Sequence, residues 1–155
     1  MYVDSALALS GSISGNTVTG QTATGTDTSV LSTNTVDLSV ARDMAEGQQL
    51  FGRFEVTTAA SGGTSVEMQV IAADAANLTG NVTVIGTTGA IAVASLTAGS
   101  RFVCATNPRL ASKGQRYLGL RYVTVGAVSA GAYYGDIGTD IADGQKNYAS
   151  GFAVL

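Results

Sequence analysis

A long alternation of apolar and polar residues, which ends at Thr58, most constrains what this chain can fold into. In the segment LFGRFEVTT, which begins at Leu50, apolar Leu50, Phe54 and Val56 share one parity, and Phe51 joins the polar residues on the other. Successive side chains of a β-strand point to opposite faces, so this pattern predicts one buried and one solvent-facing side. The stretch from Ser32 therefore predicts an extended segment, a charged turn and a second strand.

Further short strands follow, separated by glycine-rich segments. They are predicted at residues 64–72, 81–85, 90–94, 101–105, 116–125 and 130–137. We expect AASGG at residues 59–63 to connect the strands on either side as a hairpin, and GTTGA at residues 86–90 to be a hairpin turn. Eight to ten short strands without a long helical pattern predict an all-β fold, namely a single-domain antiparallel sandwich or barrel of jelly-roll-like type.

The first 29 residues differ in composition from the rest. Residues 1–9 form an extended arm or a short edge strand in this interpretation, and residues 10–29 consist almost wholly of Gly, Ser, Thr, Asn, Gln and Ala. Low complexity of this kind is typical of a segment that is flexible or is ordered by a partner. We therefore divide the chain into an N-terminal arm and Gly/Ser/Thr-rich segment at 1–29 and a β-sandwich at 30–155.

The charge content limits the functions that the chain can have. Only 12% of the 155 residues are charged and the net charge is −3, whereas about a quarter of the residues are charged in an average protein. An exterior covered by other protein explains this shortage, as does the Ser/Thr/Gly surface of a secreted adhesive protein. An acidic chain without a basic run does not favour nucleic-acid binding, no apolar run is long enough to span a membrane, and the N-terminus does not resemble a signal peptide.

The residues that support catalysis are scarce. The sequence has no histidine and one cysteine, Cys104, which is expected to be a buried apolar residue in its strand. Glu55 and Glu67 lie on neighbouring predicted strands and are the one candidate acid/base pair, although solvated charges explain them as well. Asp136, Asp140 and Asp143 do not have the spacing of a calcium loop and are interpreted as turn residues. The residues therefore predict no active site and no metal site.

Four segments together resemble a known family. They are TNTVDLSVARDMAEGQQL at 33–50, TTGAIAVASLTAGSRF at 87–102, QRYLGLRY at 115–122 and YASGFAV at 148–154. Their order and spacing are similar to those of the Bbp16 family of phage capsid cement proteins, although the segment at residues 10–29 is longer than expected. The resemblance implies a jelly-roll-like protein, made in the bacterial host cytoplasm, that decorates the outer surface of an HK97-type capsid and cements neighbouring capsomers.

The resemblance also implies that the protein has no enzyme activity and no cofactor, and it implies partners. These are the phage major capsid protein and further copies of the chain, as a homodimer or homotrimer. We expect Arg42 and Asp43 in the charged turn, and Tyr148 and Phe152 in the terminal motif, to contact the shell, because charged turns and exposed aromatic residues often anchor interfaces. Two alternatives stay open, a receptor- or glycan-binding β-module of a phage tail or fibre and a carbohydrate-active enzyme that uses Glu55 and Glu67.

Overall fold

The computed structural model describes residues 7–14, 17–44, 47–107, 109–110 and 113–139. Within these ranges the chain is built almost entirely of antiparallel strands, with a short 3-10 turn at Val93–Ser95. The strands are β1 (Ala8–Ser10), β2 (Ser12–Ser14), β3 (Thr17–Thr19), β4 (Gln21–Thr22), β5 (Gly25–Thr26), β6 (Ser29–Leu31), β7 (Val36–Asp37), β8 (Phe51–Gly62), β9 (Ser65–Ala73), β10 (Thr83–Ala92), β11 (Arg101–Ala105), β12 (Tyr117–Val125) and β13 (Ala127–Gly138). No helix in the described ranges is long and apolar enough to cross a membrane.

The strands form two sheets and a separate hairpin. The first sheet has the order β1-β13-β8-β11, with β4 and β5 also paired to β13, and the second has the order β10-β9-β12-β6, with β7 also paired to β12. Strands β2 and β3 pair with each other. The chain crosses repeatedly between the two sheets, as it does in jelly rolls. The predicted all-β antiparallel sandwich is confirmed.

The core lies between the two sheets and consists of the side chains that point inward from the strands. Phe54 of the first sheet meets Tyr122 of the second edge-on, with ring centroids 6.2 Å apart. Tyr122 in turn stacks on Tyr133 of the first sheet at 5.1 Å. Aromatic pairs at these distances and angles stabilise a core beyond the apolar area that they bury. Cys104 is buried against the same core, as predicted, and its burial raises the pKa of the thiol to about 11.

The expected hairpin between β8 and β9 is wrong. Strand β8 pairs with β13 and β11, whereas β9 pairs with β10 and β12 in the other sheet. Gly62 and Gly63 both have a positive φ, near 68°, and turn the chain across the corner of the sandwich. Alternation predicts which side of a strand is buried, but it does not identify the neighbouring strand.

The predicted strands at 81–85 and 90–94 are a single strand, so the expected turn at GTTGA is also wrong. Strand β10 pairs with β9 over its whole length, with irregularities between Val84 and Gly86 and between Thr87 and Ala90. A Cβ on Gly86 would lie 2.8 Å from the carbonyl oxygen of Ala105, so this glycine permits a close backbone contact. Glycines in this segment therefore mark bulges within a strand.

The Gly/Ser/Thr-rich segment is more ordered than its composition indicates. Strands β4 and β5 pair with β13, and β1 is buried on the same strand. The Oε1 atom of Gln21 lies 3.0 Å from the Ser10 hydroxyl, and its Nε2 donates to the carbonyl of Leu31 at 2.7 Å. Strands β4 and β5 therefore place part of this segment on the first sheet. The domain boundary at residue 29 stays a prediction.

Candidate contact surfaces

The two glutamates considered as an acid/base pair lie on opposite outer faces of the sandwich. Glu55 belongs to β8 in the first sheet and accepts a hydrogen bond from Arg101 Nε at 3.2 Å. Glu67 belongs to β9 in the second sheet, between inward-pointing Val66 and Met68. Both carboxylates point away from the core, and thus away from each other, because their neighbours in the strand point inward. The interpretation as a glycosidase pair is therefore wrong.

Asp136 is a buried strand residue, which contradicts its interpretation as a turn residue. Its Oδ1 lies 2.5 Å from Arg53 Nε on the adjacent strand β8, and its Oδ2 accepts from the Tyr134 hydroxyl at 3.2 Å. Burial raises the pKa of Asp136, and the hydrogen bond from Arg53 opposes that shift. Asp140 and Asp143 lie outside the described residues. In the described ranges no three His, Cys, Asp or Glu side chains gather to hold a metal ion.

Each charged side chain on the described strands contacts a polar or charged side chain that lies on a neighbouring strand or directly beside a strand. Arg53 binds Asp136, and Arg101 binds Glu55 on the same outer face. Arg116, directly before β12, binds Asp37 through two hydrogen bonds of 2.5 Å, which lower the pKa of that carboxyl to about 2. Glu67 and Arg121 are held by Gln69, as described below. The outer faces of the sheets therefore carry mostly compensated charge.

The predicted contact residues Arg42 and Asp43 have different surroundings. Asp43 accepts a hydrogen bond from the backbone N–H of Leu110 at 2.8 Å, which ties its loop to the loop before β12. Met44, only 9% exposed, anchors the same loop in the core. Arg42 is exposed, and so is Val40 at 55%. Asp43 therefore holds the loop in place, while Arg42 and Val40 on the same loop are exposed to solvent. Tyr148 and Phe152 lie outside the described residues.

Two further cations lie in the loop to which Asp43 is tied. Arg109 precedes Leu110, and the backbone N–H of Lys113 donates to the Leu110 carbonyl at 3.0 Å. Both residues are exposed. Within the described part of the chain, Arg42, Arg109 and Lys113 have no ion-pair partner, in contrast to Arg53, Arg101 and Arg116. Because Arg109 and Lys113 are far from Arg42 in the sequence, their association was not predicted.

Half of the outer face of the second sheet is covered by the loop that follows β9. Leu78 in this loop is 2% exposed and packs with Ile71 and Ala73 of β9 in a small apolar cluster. A Cβ on Gly119 of β12 would lie only 2.2 Å from Leu78 Cδ1, so the loop contacts the sheet closely. The rows of side chains beyond this cluster, toward Glu67 and Val123, are the uncovered half.

On the uncovered half, a chain of hydrogen bonds connects the three strands β12, β9 and β10. Arg121 Nε donates to Gln69 Oε1 at 2.7 Å, and Gln69 Nε2 donates to Glu67 Oε1 at 2.7 Å. The Thr87 hydroxyl donates to the same Glu67 oxygen at 2.6 Å. The hydrogen bond from Gln69 and, to a smaller extent, the one from Thr87 lower the pKa of Glu67. We call this surface the network face, formed by Glu67, Gln69, Thr87, Ala90, Arg121 and Val123.

Sequence reasoning missed the network face because its members are far apart in the chain. The outward parity of Glu67 and Gln69 was visible in β9, and Arg121 stood out as a charge in an otherwise apolar strand. Arg121 and Gln69 are 52 residues apart and become opposite only through the register of β9 with β12. The alternation of apolar and polar residues within one strand does not show which residues of another strand lie opposite it.

Three chains of solved structures are similar to this chain. A chain in the structure of the infectious bursal disease virus Gx strain is similar over 81% of this chain, with 14% sequence identity and a TM-score of 0.32. This chain spans about a third of that chain's length, at 35% coverage. No curated protein matches the sequence.

The comparison with protein families gave a match over most of the chain. The family model named Bbp16 matches residues 17–137, a range that runs from β3 into β13. This match agrees with the resemblance found in the four sequence segments and confirms it. The chain belongs to the Bbp16 family.

Proposed function

We propose that this chain is a capsid cement protein, which binds the outside of an assembled HK97-type phage shell and joins neighbouring capsomers. The match of the Bbp16 family to residues 17–137 carries the proposal. Membership of that family supports the role of a structural protein in a phage virion. A structural role of this kind involves no enzyme activity.

Binding to the assembled lattice provides the stabilisation that such a role needs. A protein that binds assembled subunits better than free ones shifts the equilibrium toward the assembly by mass action. A copy that contacts several subunits gains further, because its later contacts are effectively intramolecular. Packaged DNA presses outward on the shell, and bridges between capsomers oppose that pressure.

The paired charges on the strands indicate what chemistry the contact uses. The sheet faces offer hydroxyl groups, backbone groups and aliphatic side chains, while their charges are mostly compensated within the chain. Contacts of this kind depend only weakly on ionic strength. We therefore expect that raised salt alone does not strip the protein from shells, and release by moderate salt would contradict a contact made by the sheet faces.

Of the proposed contact residues that lie in the described ranges, Arg42 is the first to substitute. It is exposed beside Val40, on a loop that Asp43 and Met44 hold in place. We expect Arg42→Ala and Phe152→Ala to weaken shell binding without loss of the fold. Unchanged binding by both folded variants would remove this assignment. Asp43→Ala tests whether the anchored loop matters, since it removes the hydrogen bond to Leu110.

The proposed partners are the phage major capsid protein and further copies of this chain, and the proposed location is the outer surface of the virion after synthesis in the host cytoplasm. Co-sedimentation of the purified protein with cognate shells that lack it tests the proposal directly. We expect saturable binding at a simple ratio to the major capsid protein. Absence of binding to expanded shells would overturn the cement role and turn attention to glycan or cell-surface binding by a tail module.

A further inference from the structure

We propose that the β2–β3 hairpin is a docking arm, whose Ile13 and Val18 enter an uncharged recess on the surface of the cognate shell and distinguish that shell from those of related phages. The inference rests on the proposed cement function and adds to it the element that gives specificity. It follows from the position of the hairpin outside both sheets, from the way in which its base is held and from its lack of charge.

The hairpin stands apart from the sandwich. Strands β2 and β3 pair with each other, with Ile13 opposite Val18, and neither strand joins one of the two sheets. Five of the six residues in these strands are exposed, and the exposed fraction of Ile13 is 38%. A two-stranded hairpin by itself is only marginally stable in water. An element that buries little within its own chain and exposes an apolar pair is suited to contact with a partner.

The base of the hairpin is nevertheless fixed to the first sheet. A Cβ on Gly11 would lie 2.2 Å from the Thr19 carbonyl oxygen and 3.1 Å from Gly20 Cα, so the two ends of the hairpin touch. A Cβ on Gly20 would lie 2.7 Å from the backbone nitrogen of Tyr133, so this end lies against β13. The Ser10 hydroxyl lies 3.1 Å from the Tyr133 carbonyl oxygen. A fixed base orients the arm before binding, which lowers the entropic cost of association.

The chemistry of the hairpin identifies the surface that it fits. Residues 5–26 contain no charged side chain. Ile13 and Val18 share one face, because they lie opposite each other in the register. The described residues of the other face all carry hydroxyl groups, namely Ser12, Ser14, Thr17 and Thr19. A charge on the partner would be buried unpaired against such an arm, at high cost, so the recess that receives it is apolar and uncharged.

Backbone groups add to this contact. Each strand of the hairpin has one edge that no other strand of the described ranges pairs with. Unpaired N–H and C=O groups of an edge can hydrogen-bond to an extended segment of another protein, while the side chains between them provide selectivity. The arm therefore offers a partner both an apolar pair and unused main-chain groups.

The extent of the family match indicates why the hairpin would discriminate between shells. The Bbp16 model matches residues 17–137, so β1 and β2 lie before the matched range. The binding that family members have in common is the task of the matched range, whereas β2 adds half of the hairpin outside it. Specificity requires contacts that favour one partner and oppose another. A shell without the recess meets the protruding Ile13 as a clash.

Excision of residues 12–19 tests the proposal, because Gly11 and Gly20 already touch and would form a two-residue turn in the shortened chain. Co-sedimentation measures binding to cognate shells that lack the protein and to shells of a related phage whose cement protein belongs to the same family. We expect wild type to prefer cognate shells at least about tenfold, which corresponds to about 1.4 kcal/mol. The shortened chain is expected to bind cognate shells at least about tenfold more weakly and to lose this preference.

Ile13→Asp makes the same test with a single side chain. It places a charge in the recess and is expected to weaken binding to cognate shells at least about tenfold. Leu7→Asp is the matched control, because Leu7 is 37% exposed and lies before β1 rather than in the hairpin. This control should leave shell binding unchanged. Circular dichroism and urea unfolding establish that each variant folds.

Failure of the docking arm and failure of the cement role give different results. Wild type that binds shells, together with a folded shortened chain or a folded Ile13→Asp variant that binds them equally well, overturns the arm and leaves the cement role. A wild type without preference, or a shortened chain that keeps the preference, also overturns the arm. Wild type that binds no shell overturns both. If the variants do not fold, hydrogen exchange of the β2 and β3 amides in wild type decides, since it slows on shell binding if the arm is covered and stays unchanged if it is not.

Discussion

Gly119→Ala tests whether the loop after β9 is packed on the second sheet as closely as the structure shows. The added Cβ would lie 2.2 Å from Leu78 Cδ1 and 3.0 Å from Leu78 Cδ2. Carbon atoms in contact are normally about 3.5–4.0 Å apart, so Leu78 has to withdraw by about 1 Å or more. Leu78 is 2% exposed and packs with Ile71 and Ala73, which restricts where it can go.

The expected cost follows from two opposing effects. Overpacking of a close contact costs about 1–3 kcal/mol, while replacement of a glycine within a strand recovers about 0.5–1 kcal/mol. We therefore expect the free energy of unfolding to fall by about 1–2 kcal/mol, which corresponds to a Tm lower by roughly 2–8 °C for a chain of this size. Urea unfolding followed by fluorescence or circular dichroism measures the free energy difference.

Leu78→Ala provides the matched test, because it removes both carbon atoms that the new methyl group would meet. Alone it is expected to cost about 2–4 kcal/mol through lost burial and the cavity that remains. Together with Gly119→Ala it is expected to cost less than the two single changes added, by about 1–3 kcal/mol. The new methyl group then occupies space that the leucine has left.

Two results would refute this reasoning. A Gly119→Ala protein as stable as wild type, or more stable, would mean that the loop does not press on the sheet at this point. Single changes whose costs add to that of the double variant within about 0.5 kcal/mol would mean that the two positions are independent. Either result would also remove the reason for treating the outer face of the second sheet as half covered.

Three further predictions concern the charged groups and the thiol. Asp136→Ala is expected to lower the free energy of unfolding by about 3 kcal/mol, because it removes the carboxylate that binds an Arg53 side chain only 14% exposed. Glu55→Ala on the same face is expected to lower it by less than about 1 kcal/mol. Equal losses in urea unfolding would contradict the difference in burial. The pKa of Asp37 is held at about 2, below its ordinary value of 3.8, by the hydrogen bonds from Arg116, so the associated stability is present above the unfolded pKa and is lost as the pH falls through about 2. A carboxyl NMR titration should show this midpoint, and Arg116→Gln should return it toward 3.8; a wild-type midpoint already near 3.8 would count against the ion pair. Burial raises the pKa of Cys104 to about 11, so a thiol reagent at pH 8 should modify the native protein only as fast as it unfolds; rapid modification of folded protein would show that the thiol is accessible.

The faces of the strands could be predicted from the sequence, because a period of two directly records which side is buried. The inward positions of β8 are occupied by the predicted apolar residues, such as Phe54 and Val56. Strand β11 has the predicted bounds, Arg101–Ala105. The buried Cys104 followed from the same argument. These features depend only on local sequence and on the exclusion of apolar side chains from water.

The assignment of strands to sheets could not be predicted, because it depends on where the chain turns. Two positive-φ glycines, Gly62 and Gly63, take the chain from one sheet to the other, although the same residues would also fit a hairpin turn. The surface residues depend on this assignment. Arg53 and Asp136 are 83 residues apart and meet only because β8 pairs with β13. Glu55 and Glu67 appeared adjacent for the opposite reason, since their strands were expected to pair.

The low charge content takes on a more definite meaning once the pairings are known. Scarce charge in the sequence is explained by an exterior covered by other protein or by a Ser/Thr/Gly surface, and on the described strands even the charges that remain are largely compensated within the chain. Three cations that have no ion-pair partner in the described ranges lie instead in exposed loops, namely Arg42, Arg109 and Lys113. Contacts made by exposed loop cations weaken as salt is raised, whereas contacts made by hydroxyl groups, backbone and aliphatic side chains change little. Shell binding that falls steeply with salt would therefore assign the contact to these loops, and binding that persists would assign it to the faces of the sheets.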